Sequence, residues 1–81
     1  MRSVQTLIDE ARTEYARHEM EDPFLLDGTS EMHARNALGY LLNERWKAAV
    51  DEAEIAAKQR SRWQNFREIV TRIYELRKVS S

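Results

Sequence analysis

The chain of 81 residues carries 13 lysine and arginine side chains and 14 aspartate and glutamate side chains, for a formal net charge of -1. A hydrophobic content of 42% with 33% charged residues predicts one small folded domain over residues 1–81 rather than a disordered chain. The absence of cysteine excludes disulfides, thiolate nucleophiles and cysteine-based zinc sites. Without a signal-peptide core or a run of membrane-spanning length, we expect a cytoplasmic protein that makes no membrane contact.

The N-terminal part predicts an amphipathic helix over about residues 4–20, because its apolar residues recur three and four apart: Val4, Leu7, Ile8, Ala11 and Tyr15, a stripe that Met20 extends less regularly. Ser3 precedes them and is suited to cap the helix by accepting a first-turn backbone N–H. Pro23 disfavours helix at the residue before it, so the helix is predicted to end by Asp22. Asp27-Gly28 marks a turn, and the apolar residues 24–26 are predicted to cover one end of the core.

Good helix formers fill the stretch from Ser30 to about Val79, which contains no proline. Its apolar residues include a series spaced by seven: Leu42, Ala49, Ala56, Trp63 and Val70. The sequence therefore predicts an all-α hairpin in which the short helix packs on a continuous helix over about 30–79. Such a helix would be about 75 Å long. Because a chain this small cannot cover its apolar face, the prediction includes a coiled-coil-like dimer.

An alternative architecture is a three-helix bundle with a break near 58–62. This segment is polar, Ser61 is suited to cap a third helix, and the two apolar faces change phase there. Against a break, the segment lacks glycine, proline, asparagine and aspartate, the usual loop residues. Gly39 costs about 1 kcal/mol relative to alanine inside a helix, which predicts close approach of the first helix or of a partner. A helix end at Gly39 is the competing interpretation, but the apolar periodicity continues through this residue.

Catalytic signatures are missing from the sequence, so we expect a protein that is not an enzyme and takes no cofactor or small-molecule substrate. No nucleophile stands beside a base in a known motif, and two glycines cannot form the usual phosphate-cradling loop. Glu14 with His18, and Glu31 with His33, are two pairs that folding could bring together. Because neither pair contains the two histidines of a typical zinc motif, no metal site is predicted.

A series of small and large apolar residues on the predicted long helix is suited to a protein interface: Leu42, Trp46, Ala49, Ala53, Ala56, Trp63, Phe66 and Val70. Alanines let another helix approach closely, and tryptophan often dominates interface energies. The pattern predicts a small protein-binding protein (an adaptor, regulatory subunit or inhibitor of a larger complex) that also self-associates. The same residues would equally suit the chain's own core.

The charges are unevenly distributed along the chain. Residues 1–57 carry 12 acidic and 6 basic side chains, whereas residues 58–81 carry 2 acidic and 7 basic, a net of +5. The alternative function is therefore a nucleic-acid-binding regulator whose anion contacts would be Lys58, Arg60, Arg62, Arg67 and Arg72. The sequence has no helix-turn-helix, ribbon or zinc-finger signature. Protein recognition therefore stands first.

Overall fold

The computed structural model describes residues 3–21 and 28–80, the last two as backbone only. These residues form four α-helices: α1 (Val4–Glu21), α2 (Thr29–Leu42), α3 (Trp46–Gln59) and α4 (Gln64–Ser80). A short 3₁₀ turn, Ser61–Trp63, leads into α4. No strand occurs within the described ranges, and the prediction of an all-α fold is confirmed.

The first helix has nearly the predicted bounds. Ser3 caps it as expected, because its Oγ accepts the backbone N–H of Thr6 at 3.1 Å. The face with the three-and-four spacing is turned inward, and Leu7, Ala11 and Tyr15 are buried. The turn and core-covering segment predicted over 22–27 lie outside the described residues.

The continuous helix predicted over about 30–79 is interrupted twice in the structure. The chain leaves the helical conformation at 43–45 and again at Arg60. The longest principal extent of the molecule is 38 Å, about half the length that one unbroken helix would need. The second interruption lies in the 58–62 segment, where the alternative prediction placed a break, and the first was not predicted. The dimer and its coiled-coil character stay predictions.

A two-hydrogen-bond cap ends α2. The N–H of Arg45 donates to the carbonyl of Tyr40 at 2.8 Å, and the N–H of Glu44 donates to the carbonyl of Leu41 at 3.1 Å. This pair of bonds is the Schellman motif, which requires a left-handed residue just past the helix. Glu44 has a φ of 59° and occupies that position, which is usually a glycine. The chain then reverses direction and begins α3.

The second interruption turns Trp63 into the core. Arg60 has extended backbone angles, with φ -142° and ψ 123°, and its N–H makes the last bond of α3, to the carbonyl of Ala56 at 2.9 Å. The N–H of Trp63 then donates to the carbonyl of Arg60 at 3.1 Å and closes the 3₁₀ turn. As a result Trp63 is buried at the start of α4.

The four helices run antiparallel in chain order. The start of α2 meets the end of α3, where the Thr29 hydroxyl donates to the Gln59 side-chain oxygen at 3.0 Å. The end of α1 meets the start of α4, where the His18 ring lies against Trp63. Each helix contacts its neighbours in the chain, and α1 also contacts α4, so the helices surround one core.

The core is divided between small and large side chains. The most extensive backbone contact is between α2 and α3, whose facing surfaces are buried alanines that permit close approach: Ala34, Ala37, Ala49, Ala53 and Ala56. The large buried side chains come chiefly from α1, the 3₁₀ turn and α4: Leu7, Trp63, Phe66, Val70 and Ile73. Burial of these large groups supplies most of the hydrophobic stabilisation at about 25 cal/mol per Å².

The turn at 43–45 is tested by glycine substitution. We expect Glu44→Gly to raise the free energy of unfolding by about 1 kcal/mol, because glycine adopts the left-handed conformation without the strain of a Cβ. The matched control, Glu54→Gly on the exposed surface of α3, should lower it by about 1 kcal/mol. Urea unfolding followed by circular dichroism measures both. Equal destabilisation by the two variants would mean that the helix continues through Glu44.

Candidate functional site

Most of the predicted interface residues lie in the chain's own core. Six of the eight are buried: Ala49, Ala53, Ala56, Trp63, Phe66 and Val70. These side chains pack against the chain's other helices, so in this fold they offer no surface to a second protein. Leu42, 52% exposed, and Trp46, half-buried, keep exposed surface. The guanidinium of Arg77 lies over the Trp46 ring, 5.5 Å from its centroid.

The predicted anion-binding residues are divided among different parts of the surface. Lys58 and Arg67 line one groove between α3 and α4. Arg72 lines a depression on the α1 side of α4, and Arg62 is exposed on the 3₁₀ turn. Arg60 extends toward α2, where its Nε is 4.0 Å from a carboxylate oxygen of Glu31. The five cations therefore do not form one continuous strip.

A buried carboxylate holds Trp63 from the α2 side. Glu31 is only 2% exposed in the first turn of α2. Its Oε2 accepts the indole N–H of Trp63 at 3.0 Å and also the hydroxyl of Ser30. Its other oxygen, Oε1, is buried and accepts no hydrogen bond from the described residues. Two donors on one oxygen, with the Arg60 cation nearby, offset part of the cost of burying this carboxylate.

A histidine holds Trp63 from the α1 side. His18 is 6% exposed, and its ring is tilted by 59° against the indole with centroids 4.7 Å apart. Tyr15 and Phe66 complete the aromatic cluster, each with its ring centroid 5.7 Å from that of Trp63. His18 Nε2 lies 3.3 Å from Glu14 Oε2, but the two groups are misaligned, and neither ring nitrogen has a hydrogen bond among the described residues.

Glu14 connects this aromatic cluster to the surface. Burial would raise the pKa of Glu14, but hydrogen bonds from Arg17 and Asn65 together with the charges of Arg17 and His18 outweigh burial and hold that pKa below its ordinary value. Arg17 Nη2 lies 2.8 Å from Glu14, and its Nη1 lies 2.9 Å from Glu21. The two carboxylates raise the pKa of Arg17 above its ordinary value.

The polar side chains around Trp63, which are Glu14, His18 and Glu31, form a structural contact between helices. Within residues 3–21 and 28–80, no three histidine or acidic side chains are grouped as a metal ion would require. The first pair noted in the sequence, Glu14 and His18, lies on the α1 side of Trp63. The second pair is separated: Glu31 lies on the α2 side of Trp63, whereas His33 Nδ1 is 3.2 Å from a carboxylate oxygen of Glu52 on α3. Trp63 thus joins α1, α2 and α4 through one side chain. A buried tryptophan needs a hydrogen-bond acceptor. This requirement is the signal in the sequence from which an acceptor such as Glu31 could have been expected.

Exposed apolar side chains mark the outer surface of the helices. The large ones are Met20 at 82%, Leu42 at 52%, Met32 at 49% and Ile55 at 37% exposure. Met20 belongs to an apolar surface of α1 with Thr13 and Ala16. The sequence pattern would extend the inward stripe of α1 to Met20, but the structure leaves this side chain exposed, because it lies five residues after Tyr15 and so outside the three-and-four spacing.

Comparison with protein-family models, with curated proteins and with solved structures finds no match to this chain. None of the helices formed by the described residues is long and apolar enough to cross a membrane. Functional inference therefore depends on the chain's own surfaces.

The hydrogen bond between Trp63 and Glu31 is tested by substitution. We expect Trp63→Phe to lower the free energy of unfolding by about 1–3 kcal/mol, because the buried carboxylate loses a donor. In a Glu31→Leu background the same change should cost much less. Trp46→Phe, in a half-buried ring on the surface of the fold, serves as the control and should have a smaller effect. Chemical denaturation measures all the variants, and equal costs in both backgrounds would contradict the pairing.

The lowered pKa of Glu14 predicts a pH-dependent stability. A carboxyl group whose pKa is lower in the folded state stabilises the fold above its ordinary pKa of 4.5, and this stabilisation is lost as the pH falls through the folded value. Glu14→Gln should therefore be less stable at neutral pH and lose less stability on acidification below about pH 4.5. Urea unfolding across this range measures the effect. Glu19→Gln, an exposed residue of α1, should retain the wild-type acid slope; an unchanged slope in Glu14→Gln would refute the assignment.

Proposed function

We propose that this is a small non-enzymatic, cytoplasmic protein that binds a larger protein through helix–helix contact, as an adaptor, regulatory subunit or inhibitor. The proposed binding surface is the outward face of α2, formed by Met32, Gly39 and Leu42. The open space around Gly39 is the observation that supports it most directly. This surface lies outside the core, so binding leaves the fold intact.

Gly39 has no explanation within the fold. A Cβ built at this position would meet no atom within 4 Å, so neither α1 nor any other described segment requires a glycine here. The residue nonetheless costs the helix about 1 kcal/mol relative to alanine. A helix end at Gly39 does not explain the residue, because α2 continues to Leu42. Close approach of the first helix is excluded by the open space around the position. Close approach of a partner's backbone is the explanation that we propose.

The residues around Gly39 suit a helical partner. Met32 precedes it by seven residues and so points in nearly the same direction at about 100° per residue. Leu42 lies about 60° around the helix from Gly39. Both side chains are about half exposed, and methionine adapts its shape to different apolar partners. A glycine between two exposed apolar groups lets a partner helix approach α2 closely while the flanking side chains bury apolar surface.

The alternative function, nucleic-acid binding, has weaker support. Its predicted contacts are divided among α3 (Lys58), the 3₁₀ turn (Arg62) and two sides of α4 (Arg67 and Arg72), and Arg60 extends toward Glu31. A phosphate backbone is best followed by cations along one groove. Binding to nucleic acid would also weaken steeply as salt is added, which separates it from the proposed apolar contact.

Substitution of Gly39 should separate stability from binding. Gly39→Ala is expected to raise the free energy of unfolding by up to about 1 kcal/mol, because the added Cβ enters open space and alanine favours the helix. The same variant should bind the partner more weakly, since its Cβ holds the partner's backbone away. Thermal unfolding measures the first effect. A destabilised Gly39→Ala variant would show that the glycine serves the fold instead.

Affinity capture tests the binding surface. The tagged chain, used to recover partners from its native lysate in the presence of nuclease, should retain a stoichiometric protein partner. Gly39→Arg should lose that partner, and the matched control Glu68→Arg, on the exposed surface of α4, should keep it. Retention by Gly39→Arg would place the contact elsewhere, and loss of all partners on nuclease treatment would support the nucleic-acid alternative.

A further inference from the structure

A groove with an apolar floor and two cations runs between α3 and α4. It has a volume of about 260 Å³ and is lined by Glu54, Ile55, Ala57, Lys58, Gln64 and Arg67. Ile55 is 37% exposed within it. The Gln64 side-chain N–H₂ donates to the carbonyl of Ala57 at 3.5 Å and joins the two walls. Lys58 on α3 and Arg67 on α4 both line the groove with Ile55, and with Glu54 they leave its lining with a net charge of +1.

The other half of the contact is the most exposed large apolar side chain among the described residues. Met20, 82% exposed, projects from the last turn of α1 with Glu19 and Glu21 on either side. All three residues are exposed, and Met20 lies on the apolar surface with Thr13 and Ala16. Glu21 is paired with Arg17, so Glu19 is the main charged partner for a cationic surface.

The charges of the two regions are opposite. The Met20 end of α1, with Arg17, Glu19 and Glu21, has a net charge of -1, whereas the charged residues that line the groove, Glu54, Lys58 and Arg67, have a net of +1. Opposite fields steer two surfaces together and fix their orientation, and the apolar groups then provide the affinity. An unbranched methionine flanked by carboxylates thus suits a groove that is lined by Ile55 and Ala57 and carries two cations.

We propose that Met20 of one copy of this chain docks in the α3–α4 groove of a second copy, with Glu19 directed at Lys58 and Arg67. Because the two halves of the contact are different surfaces, the association is head-to-tail rather than two-fold symmetric. Each copy keeps one unused half, so association extends with concentration or closes into a ring. The contact uses no residue of the α2 face and is independent of the proposed function.

Two single substitutions test the head-to-tail contact. Met20→Arg blocks the α1 half and Ile55→Arg blocks the groove, and both residues are exposed, so both variants should retain the helical circular dichroism of the wild type. Sedimentation equilibrium should show the average mass of the wild type rising with concentration above the single-chain 9.6 kDa. Each variant alone should remain at the single-chain mass. An equimolar mixture should form a dimer of one copy of each, because one intact pair of surfaces remains.

Three outcomes would overturn the proposal. They are a wild type of single-chain mass at millimolar concentration, a variant that still associates alone, and a mixture that stays at the single-chain mass. Gly39→Arg should associate as the wild type does, so loss of the head-to-tail association is distinguishable from loss of partner binding at the α2 face. Added salt should weaken the association, because the charged pairs are exposed.

Discussion

The buried side chain of Trp63 and its hydrogen bond to Glu31 constrain the whole arrangement of helices. An indole of this size fills the space between α1, α2 and α4, and its N–H must find an acceptor once water is excluded. Glu31 provides that acceptor from the first turn of α2 at 3.0 Å. The bond is directional, so it fixes the start of α2 relative to the 3₁₀ turn more narrowly than apolar packing alone. The ring of His18 against the opposite side then positions the end of α1.

The contacts of Trp63 with Glu31 and His18 also explain why the two ends of the molecule differ. At the Trp63 end, buried polar groups and aromatic rings connect three helices. Near the opposite end, the turn between α2 and α3 depends on backbone bonds and on the left-handed conformation of Glu44. The alanine faces between the ends allow α2 and α3 to approach closely but impose little direction. Orientation of the helices therefore comes from the polar and aromatic contacts.

The fold was predictable only as far as local signals extend. The start of α1 followed from the Ser3 cap and the three-and-four spacing, and the all-α class followed from composition. The prediction of one continuous helix over about 30–79 differs from the structure, because a seven-residue spacing continues across a break whenever successive helices turn their apolar faces to one core. The sequence signal at the first break was small, because Glu44 and not a glycine occupies the left-handed position after α2. The residue before it, Asn43, is a loop residue whose Nδ2 donates to the carbonyl of Gly39 at 2.9 Å.

The candidate surfaces were harder to foresee than the core. Size and spacing selected Ala49, Trp63 and Val70 as interface residues, and the structure buries them in the chain's own core. A sequence does not distinguish such a core from a dimer seam. That distinction depends on where α2 ends, since a continuous helix would leave these residues facing outward. Exposure at Met20 and open space at Gly39 are properties of the folded chain alone. Both proposed contacts therefore come from the structure.

The most direct test is whether Trp63 packs against its own chain. Isotope-filtered nuclear Overhauser spectroscopy on a mixture of labelled and unlabelled protein separates contacts within a chain from contacts between chains. If Trp63 packs within its own chain, strong nuclear Overhauser effects are expected between the Trp63 indole protons and protons of Tyr15 and His18 in the fully labelled sample. None of these is expected in the filtered spectrum, which contains only contacts between chains. Effects from Trp63 to these residues that appear between chains would contradict the fold and restore the dimer seam.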